Sequence, residues 1–414
     1  MMAYRHLIHI SLVWAITVIV SLAGGAHAGI SNLESMIDDR DALVVMNDKG
    51  NIILSKNASN RLIPASTLKI LTALSAFHYL GDNYRFKTEF FIDNNSNLVV
   101  KGYGDPLFIS EVISSCCEKI KPIISQNSNT LNDIIIDHSY FESIDIPGVS
   151  GSSEPYDAPV GALCANFNTV AFSHDSRGRI VSDEKQTPLL PFLITRINQS
   201  GLHTGRIILN TNERDLYVGY LLKYFLEKQG IIVKGKIRVD RTLRKEDRKI
   251  YVFESPFDIQ DVVKKLLDFS NNFIANQLLV SIGAKIYGEP GNLEKGIRAV
   301  KQYSDTRLGL KDYTLAEGSG LSRKNRISAY DMAKLVRMFV DHRSLMRTRN
   351  NVNFKTGTLT GISTRVGYLT TPSGRMYSFV IFCNTPGKSA ENIQRKLYDM
   401  LSLNKITTDE RKIN

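Results

Sequence analysis

The sequence predicts a mixed α/β (α+β) fold: an antiparallel sheet with helices, interrupted by a β-rich insert. Three observations predict it. Ala42–Met46 and Ile52–Leu54 are short apolar runs joined by the turn residues Asp48-Lys49-Gly50, the signature of a hairpin, and a helical pattern follows them. The chain closes with three strand-like runs and a helix. Between these ends, short strand-like runs alternate with turn clusters up to residue 254.

Taken in order, residues 1–28 read as a secretory signal peptide. Arg5 gives the positive start, Leu7–Leu22 is largely apolar, and Ala26-His27-Ala28 is a cleavage site with Gly29 as the mature start. The apolar stretch is short for a membrane span. The expectation is a periplasmic protein with at most peripheral membrane contact. Gly29–Asp41 reads as a short helix. After the hairpin, Pro64 opens a helix on which Ala65, Leu68, Leu71, Thr72 and Ser75 fall at helical spacings.

The insert reads as strands at Thr88–Ile92, Leu98–Val100, Asp133–Ile136, Val170–Phe172, Arg206–Leu209 and Lys234–Val239, with one helix around Tyr217–Gln229. Helical patterning resumes over Ile259–Tyr287, Leu293–Leu308 and Ala329–Asp341. Strands follow at Asn353–Thr358, Thr364–Thr370 and Met376–Asn384, the last two joined by Pro372-Ser373-Gly374, and Ala390–Leu403 is the final helix. The expected division is a signal peptide (1–28), a discontinuous domain (29–88 and 255–405), an insert (89–254) and a tail (406–414).

A chain of 414 residues with 43% hydrophobic and 22% charged residues is ordinary for a globular protein of more than one domain. The net charge of +11 favours anionic surroundings. The basic residues are scattered, and no basic helix with interleaved aromatics appears, so nucleic acid is excluded as a partner. Of the four cysteines, Cys116 and Cys117 are adjacent, Cys164 stands alone and Cys383 lies in an apolar strand pattern. No metal-ligand spacing is present, and no cofactor is expected. A bridge between Cys164 and the Cys116/Cys117 pair is the disulfide that an oxidising compartment permits; Cys383 reads as a small buried hydrophobe. The sequence carries no signal for oligomeric state.

Three short elements carry the chemistry: Ser66-Thr67-Leu68-Lys69, Ser270-Asn271-Asn272 and Lys355-Thr356-Gly357, which spell S-x-x-K, S-x-N and K-T-G in order. Ser66 and Lys69 are expected one turn apart at the start of a helix. A serine hydroxyl attacks only when a base takes its proton, and a lysine serves when desolvation lowers its pKa. Ser270 offers a second hydroxyl to relay a proton; taken alone, it reads as a helix N-cap. Asn272 offers an amide to hold a substrate peptide. Lys355, Thr356 and Thr358 on a strand edge suit a carboxylate, Gly357 permits close backbone approach, and the N–H groups of Ser66 and Thr358 suit an oxyanion hole. Chance copies exist at Ser182-Asp183-Glu184-Lys185, Ser55-Lys56-Asn57 and Ser125-Gln126-Asn127. The first lies in a polar loop, the second precedes the nucleophile, and the third lies in a polar run.

With these elements the chain resembles the penicillin-recognising serine enzymes, whose core is the penicillin-binding/β-lactamase-like transpeptidase domain. The long separation of Ser66 from Ser270 resembles the class C low-molecular-mass penicillin-binding proteins, the penicillin-binding protein 4-like D-alanyl-D-alanine carboxypeptidase/endopeptidase group. Gly102-Tyr103-Gly104-Asp105-Pro106, Tyr156-Asp157-Ala158-Pro159-Val160-Gly161-Ala162-Leu163, Asn166-Phe167-Asn168-Thr169-Val170 and Glu317-Gly318-Ser319-Gly320-Leu321-Ser322-Arg323 agree with that group.

The resemblance implies cleavage of the terminal D-Ala–D-Ala bond of peptidoglycan stem peptides, with DD-endopeptidase cleavage of cross-links as a second activity. Ser66 attacks, Lys69 takes the proton, Ser270 relays one to the leaving amine, Asn272 orients the peptide, and Lys355, Thr356 and Thr358 hold the carboxylate. β-Lactam antibiotics are implied as covalent inhibitors. Family members often carry a tryptophan and an acidic residue ahead of the Y-x-A-P stretch. Here Pro147–Glu154 holds neither Trp nor Asp. That leaves Glu154 to meet a diaminopimelate ammonium and Arg323 its carboxylate, against the reading of both as surface charges. Two other functions compete. A serine β-lactamase lacks support because no E-x-x-L-N stretch lies between Ser66 and Ser270. A non-catalytic peptidoglycan-binding or β-lactam-sensing module is disfavoured by the complete motif set.

Overall fold

The computed structural model describes residues 31–150, 155–240 and 243–403; the expected signal peptide, the tail 406–414 and Glu154 lie outside the described residues. In chain order the main elements are β1 (Asp41–Met46), β2 (Ile52–Lys56), α1 (Lys69–Leu80), β3 (Arg85–Ile92), β4 (Leu98–Gly102), α2 (Ser110–Ser125), β5 (Ile134–Asp137), α3 (Thr211–Lys228), β6 (Ile237–Asp240), β7 (Arg248–Asp258), α4 (Ile259–Phe269), α5 (Asn272–Tyr287), α6 (Leu293–Tyr303), α7 (Ala329–Met338), β8 (Arg347–Arg349), β9 (Val352–Leu359), β10 (Ile362–Thr370), β11 (Met376–Cys383) and α8 (Ala390–Ser402). The chain forms two compact units. One comprises 31–67, Leu310–Thr314 and 324–403; the other comprises Leu68–Gly309 and Leu315–Arg323.

The first unit is built on a six-stranded antiparallel sheet in the order β8-β9-β10-β11-β1-β2. Leu43 and Val45 of β1, with Phe379, Ile381 and Cys383 of β11, pack on Ile393, Leu397 and Met400 of α8. Helix α7 packs against β1 and β11 as well. Strands covered on both faces read as continuous apolar runs, which is why 42–46 and 379–383 show no polar alternation. The β1–β2 turn closes at Gly50 with φ +81°, and a Cβ there would sit 2.7 Å from the Arg337 guanidinium carbon, so both conformation and space call for glycine.

The second unit contains a five-stranded sheet in the order β6-β5-β4-β3-β7, parallel across β4, β5 and β6 and antiparallel elsewhere. Its core joins Val100, Ile134 and Ile136 of the sheet to Cys116, Cys117 and Ile120 of α2 and to Tyr217, Leu221 and Phe225 of α3. Here the structure corrects the expectation of a single helix in the insert. Helix α2 carries Pro122 and a Ser-Ser-Cys-Cys stretch, which mask its helical period, and a short helix spans Ile194–Gln199. Helix α3 begins six residues ahead of its expected start, at an Asn210/Glu213 capping box.

All four cysteines are free and buried, which removes the Cys164 bridge. Cys116 and Cys117 are core side chains, and the Cys164 sulfur meets Asn168 Nδ2 at 3.0 Å. In the same unit α1 packs on α4, α5 and α6. Helix α5 is buried continuously from Phe273 to Ala284. The helix expected over 259–287 is two helices, broken where Ser270 takes a left-handed conformation (φ 52°, ψ 36°).

Candidate active site

In the first unit, Ser66 lies half-buried in the 3-10 turn Ala65–Leu68. Ala65 before it has φ 48°, a left-handed position that costs a non-glycine residue about 1 kcal/mol. Several bonds hold the segment there. The Pro64 carbonyl accepts from the Thr67 N–H (3.3 Å), the Thr67 hydroxyl (2.7 Å) and the Thr364 hydroxyl (2.7 Å). The Asn384 amide grips Ile63 on both sides, accepting its N–H at 2.8 Å and donating to its carbonyl at 3.1 Å. Asn384 is itself fixed by the fully buried Asp41, which accepts its N–H at 2.9 Å.

Lys355, Thr356, Gly357 and Thr358 lie in β9, opposite Val366, Arg365, Thr364 and Ser363 of β10. Lys355 is 2% exposed, and its ammonium donates to the Thr356 carbonyl at 2.6 Å. A Cβ on Gly357 would lie 2.8 Å from the Pro64 carbonyl oxygen and 2.8 Å from the Ser66 nitrogen, and would strike the Thr364 hydroxyl. The K-T-G strand therefore runs directly against the turn that carries Ser66. Thr358 is exposed one residue further on.

In the second unit, the α-helix starts at Lys69 itself and not ahead of Ser66. Lys69 is fully buried; its Nζ donates to Asn272 Oδ1 at 2.7 Å and to the Ser319 carbonyl at 2.7 Å. Burial lowers its pKa to about 7, partly opposed by the negative charge of Glu317. Asn272 opens α5, and the N-cap is Asn271, whose side chain accepts the Ile274 N–H at 3.0 Å. Ser270 is thus not the cap; it is the left-handed residue closing α4, half-buried beside both helix ends.

The stretch 317–323 meets the same helices. Gly318 donates its N–H to Asn276 of α5 (2.8 Å), and its carbonyl accepts from Thr72 of α1 (2.6 Å). Arg323, at its end, is exposed. One residue earlier, Ser322 backs onto Gly148, where a Cβ would stand 2.8 Å from the Ser322 Cα. Sequence reasoning missed Glu317, the Ser319 carbonyl, Thr364 and the Asp41–Asn384 support. The available signal was an acidic residue directly ahead of the glycine-rich Gly318-Ser319-Gly320 turn. Among the described residues, no group of three or more His, Cys, Asp or Glu is arranged to hold a metal ion, and no helix is long and apolar enough to cross a membrane.

The chain matches the D-Ala-D-Ala carboxypeptidase 3 (S13) family over residues 30–201, 199–349 and 340–404. It is 25% identical to the D-alanyl-D-alanine carboxypeptidase DacB of Haemophilus influenzae, over 84% of this chain and 85% of that protein. It is 22% identical to a D-alanyl-D-alanine carboxypeptidase of an Actinomadura species, over 81% and 76% respectively. In fold it is similar to the crystal structure of penicillin binding protein 4 from H. influenzae, with TM-score 0.70, 20% identity and coverage of 90% of this chain and 99% of the other. It is also similar to the predatory peptidoglycan endopeptidase Bd3459 of Bdellovibrio bacteriovorus, with TM-score 0.52, 15% identity and coverage of 90% and 94%. The family match takes in all three motif segments and both units: the protein belongs to the D-Ala-D-Ala carboxypeptidase 3 (S13) family and is a serine-type D-Ala-D-Ala carboxypeptidase.

Proposed function

We propose that Ser66 is the nucleophile that opens the terminal D-Ala–D-Ala bond of peptidoglycan stem peptides, with Lys69 as its base. The observation that carries this is the state of Lys69. A neutral amine has two N–H bonds and one electron pair. The buried Lys69 nitrogen has an oxygen for each N–H, Asn272 Oδ1 and the Ser319 carbonyl. A pKa of about 7 makes the neutral form available near neutrality. The electron pair then takes the Ser66 hydroxyl proton as Oγ bonds to the D-alanyl carbonyl carbon.

The negative charge that develops on the carbonyl oxygen is met by the N–H groups of Ser66 and Thr358. The close run of β9 past Ser66 supports that pairing. Collapse of the tetrahedral intermediate breaks the C–N bond. Ser270 relays a proton to the departing D-alanine amine, leaving an ester on Ser66 that water hydrolyses. Asn272, its oxygen committed to Lys69, offers its NH₂ to the substrate peptide. Lys355, Thr356, Gly357 and Thr358 line the place of the terminal carboxylate. Glu154 and Arg323 meet the ammonium and carboxylate of the stem-peptide side chain. The Gly148 backbone lies against Ser322, the residue before Arg323, which supports a wall of the side-chain site there.

The same chemistry opens D-alanyl–diaminopimelyl cross-links, the endopeptidase activity, and accepts the strained amide of β-lactams, which remain on Ser66 as inhibitory esters. A periplasmic location brings enzyme and substrate together. Mass spectrometry of muropeptides incubated with purified enzyme tests the function. Loss of one terminal alanine from pentapeptides, together with monomers released from cross-linked dimers, is the expected result. Unchanged muropeptides in both classes overturn it.

A further inference from the structure

We propose that Glu317 is a positioning residue for acyl transfer: its carboxylate folds the 317–322 loop so that the Ser319 carbonyl is held on the amine of Lys69. Glu317 is fully buried, and its carboxylate gathers the loop's own backbone. Oε2 accepts the Ser319 N–H at 2.7 Å; Oε1 accepts the Gly320 N–H at 2.7 Å and the Ser322 N–H at 3.2 Å. The turn needs Gly320 at φ +83°.

With its N–H groups turned inward, the loop aims its remaining polar atoms at α1 and α5. The Gly318 carbonyl meets Thr72, the Gly318 N–H meets Asn276, and the Ser319 carbonyl meets Lys69 Nζ. Asn272 and the Ser319 carbonyl, which accept from Lys69, are neutral, while the negative charge of Glu317 raises its pKa. That charge counters desolvation and keeps the amine from becoming too weak a base. One side chain therefore sets both the second acceptor of the base and the base's strength.

This inference rests on the reading of Lys69 as the base, and the test separates the two. The rate of acylation by benzylpenicillin is followed against pH for wild type, Lys69→Arg, Glu317→Gln and Glu317→Asp, with folding checked by circular dichroism. Glutamine removes the charge and turns an NH₂ group onto the Ser319 N–H. The acid limb of the profile, near the Lys69 pKa of about 7 in wild type, is expected to move down by about one pH unit, and the plateau to fall about tenfold. Aspartate keeps the charge but withdraws it by one methylene, so the plateau should fall with the limb in place.

A wild-type profile without an acid limb, or acylation surviving in Lys69→Arg, defeats the base reading itself. With those two in order, a Glu317→Gln limb that coincides with wild type overturns the role of Glu317. Should Glu317→Gln fail to fold, Glu317→Asp decides: a lowered plateau on an unmoved limb supports the proposal, and a wild-type plateau or a displaced limb overturns it.

Discussion

Lys69 Nζ and Asn272 Oδ1 lie 2.7 Å apart, so the first residue of α1 and the first residue of α5 are bonded to each other. Both helices are mainly apolar and buried along their first turns. The pair is fixed by packing behind it, and the lysine cannot swing out to water to recover its hydration. Its depressed pKa follows from that confinement.

The two motif lysines should therefore respond differently to the same substitution. On the proposed mechanism Lys69 acts through its neutral form and Lys355 as a fixed cation. Lys69→Arg should abolish acylation by a fluorescent penicillin, because arginine keeps its proton. Lys355→Arg should retain part of it, reduced roughly ten- to a hundredfold by the bulkier group in a buried position. Equal effects would remove the distinction of roles.

Confinement of Lys69 also has a cost in stability with a definite pH window. Its folded pKa of about 7 lies below the ordinary 10.5. Between these values the unfolded chain holds a proton that the folded chain has lost, so stability rises with pH across that window. From about pH 7 to 9 the gain is on the order of 2 kcal/mol. Lys69→Met has no such proton. Denaturant unfolding of wild type and Lys69→Met at both pH values should show a steeper rise in wild type, and parallel curves would mean that Lys69 is not confined as described.

The competing S-x-x-K copy supplies an internal control. Ser182 ends the strand Ile180–Ser182, its hydroxyl donates to the Glu184 carbonyl at 3.0 Å, and Lys185 is exposed. Lys185 therefore lacks the burial that confines Lys69. Ser66→Ala should lose all covalent penicillin labelling on a gel, and Ser182→Ala should label like wild type. Labelling that persists without Ser66 defeats the assignment.

The parts legible in the sequence were those announced by residue type. Ser66, Lys69, Asn272 and Lys355 stand in motifs whose order survives any error in secondary structure. The β1–β2 hairpin and β9–β11 show as unbroken apolar runs because both faces of their sheet are covered. What stayed hidden depended on long-range partners. Nothing near Asp41 in sequence says that it fixes Asn384, and Glu317, visible in the sequence only as the start of the Glu317–Arg323 stretch, shows its backbone contacts only once the loop is folded. The break at Ser270 was half legible: the Ser270-Asn271-Asn272 cluster offers a helix cap, but only the structure shows Ser270 closing α4 and Asn271 capping α5. Helix α3 was legible and misread, since Asn210 and Glu213 spell its start.

Gly357 tests the contact between the K-T-G strand and the turn that carries Ser66. A methyl group there meets the Pro64 carbonyl and the Ser66 nitrogen, both backbone atoms that cannot rotate away. Gly357→Ala should push β9 from the Ser66 turn. A loss of roughly 1–3 kcal/mol in stability is expected from overpacking, with a fall of about a hundredfold or more in kcat/KM from displacement of the proposed oxyanion donors. Wild-type kinetics in the alanine variant would show that Ser66 and β9 need not touch.

The last prediction concerns the stem-peptide side chain. Arg323 is exposed, and an exposed ion pair contributes at most about 1 kcal/mol. A substrate contact behaves differently. Loss of a hydrogen bond to a charged group costs roughly 1.5–3 kcal/mol, which is about tenfold or more in kcat/KM. The effect should also be selective. Glu154→Gln and Arg323→Gln should each slow cleavage of a diaminopimelate-containing pentapeptide by about that factor, while benzylpenicillin, which lacks both the ammonium and the carboxylate of that side chain, should acylate Ser66 at the wild-type rate. Swapping diaminopimelate for lysine in the peptide removes the distal carboxylate and keeps an ammonium. The Arg323→Gln defect should then vanish and the Glu154→Gln defect persist. Wild-type rates of both variants on the diaminopimelate peptide would leave neither residue a role in recognising that side chain.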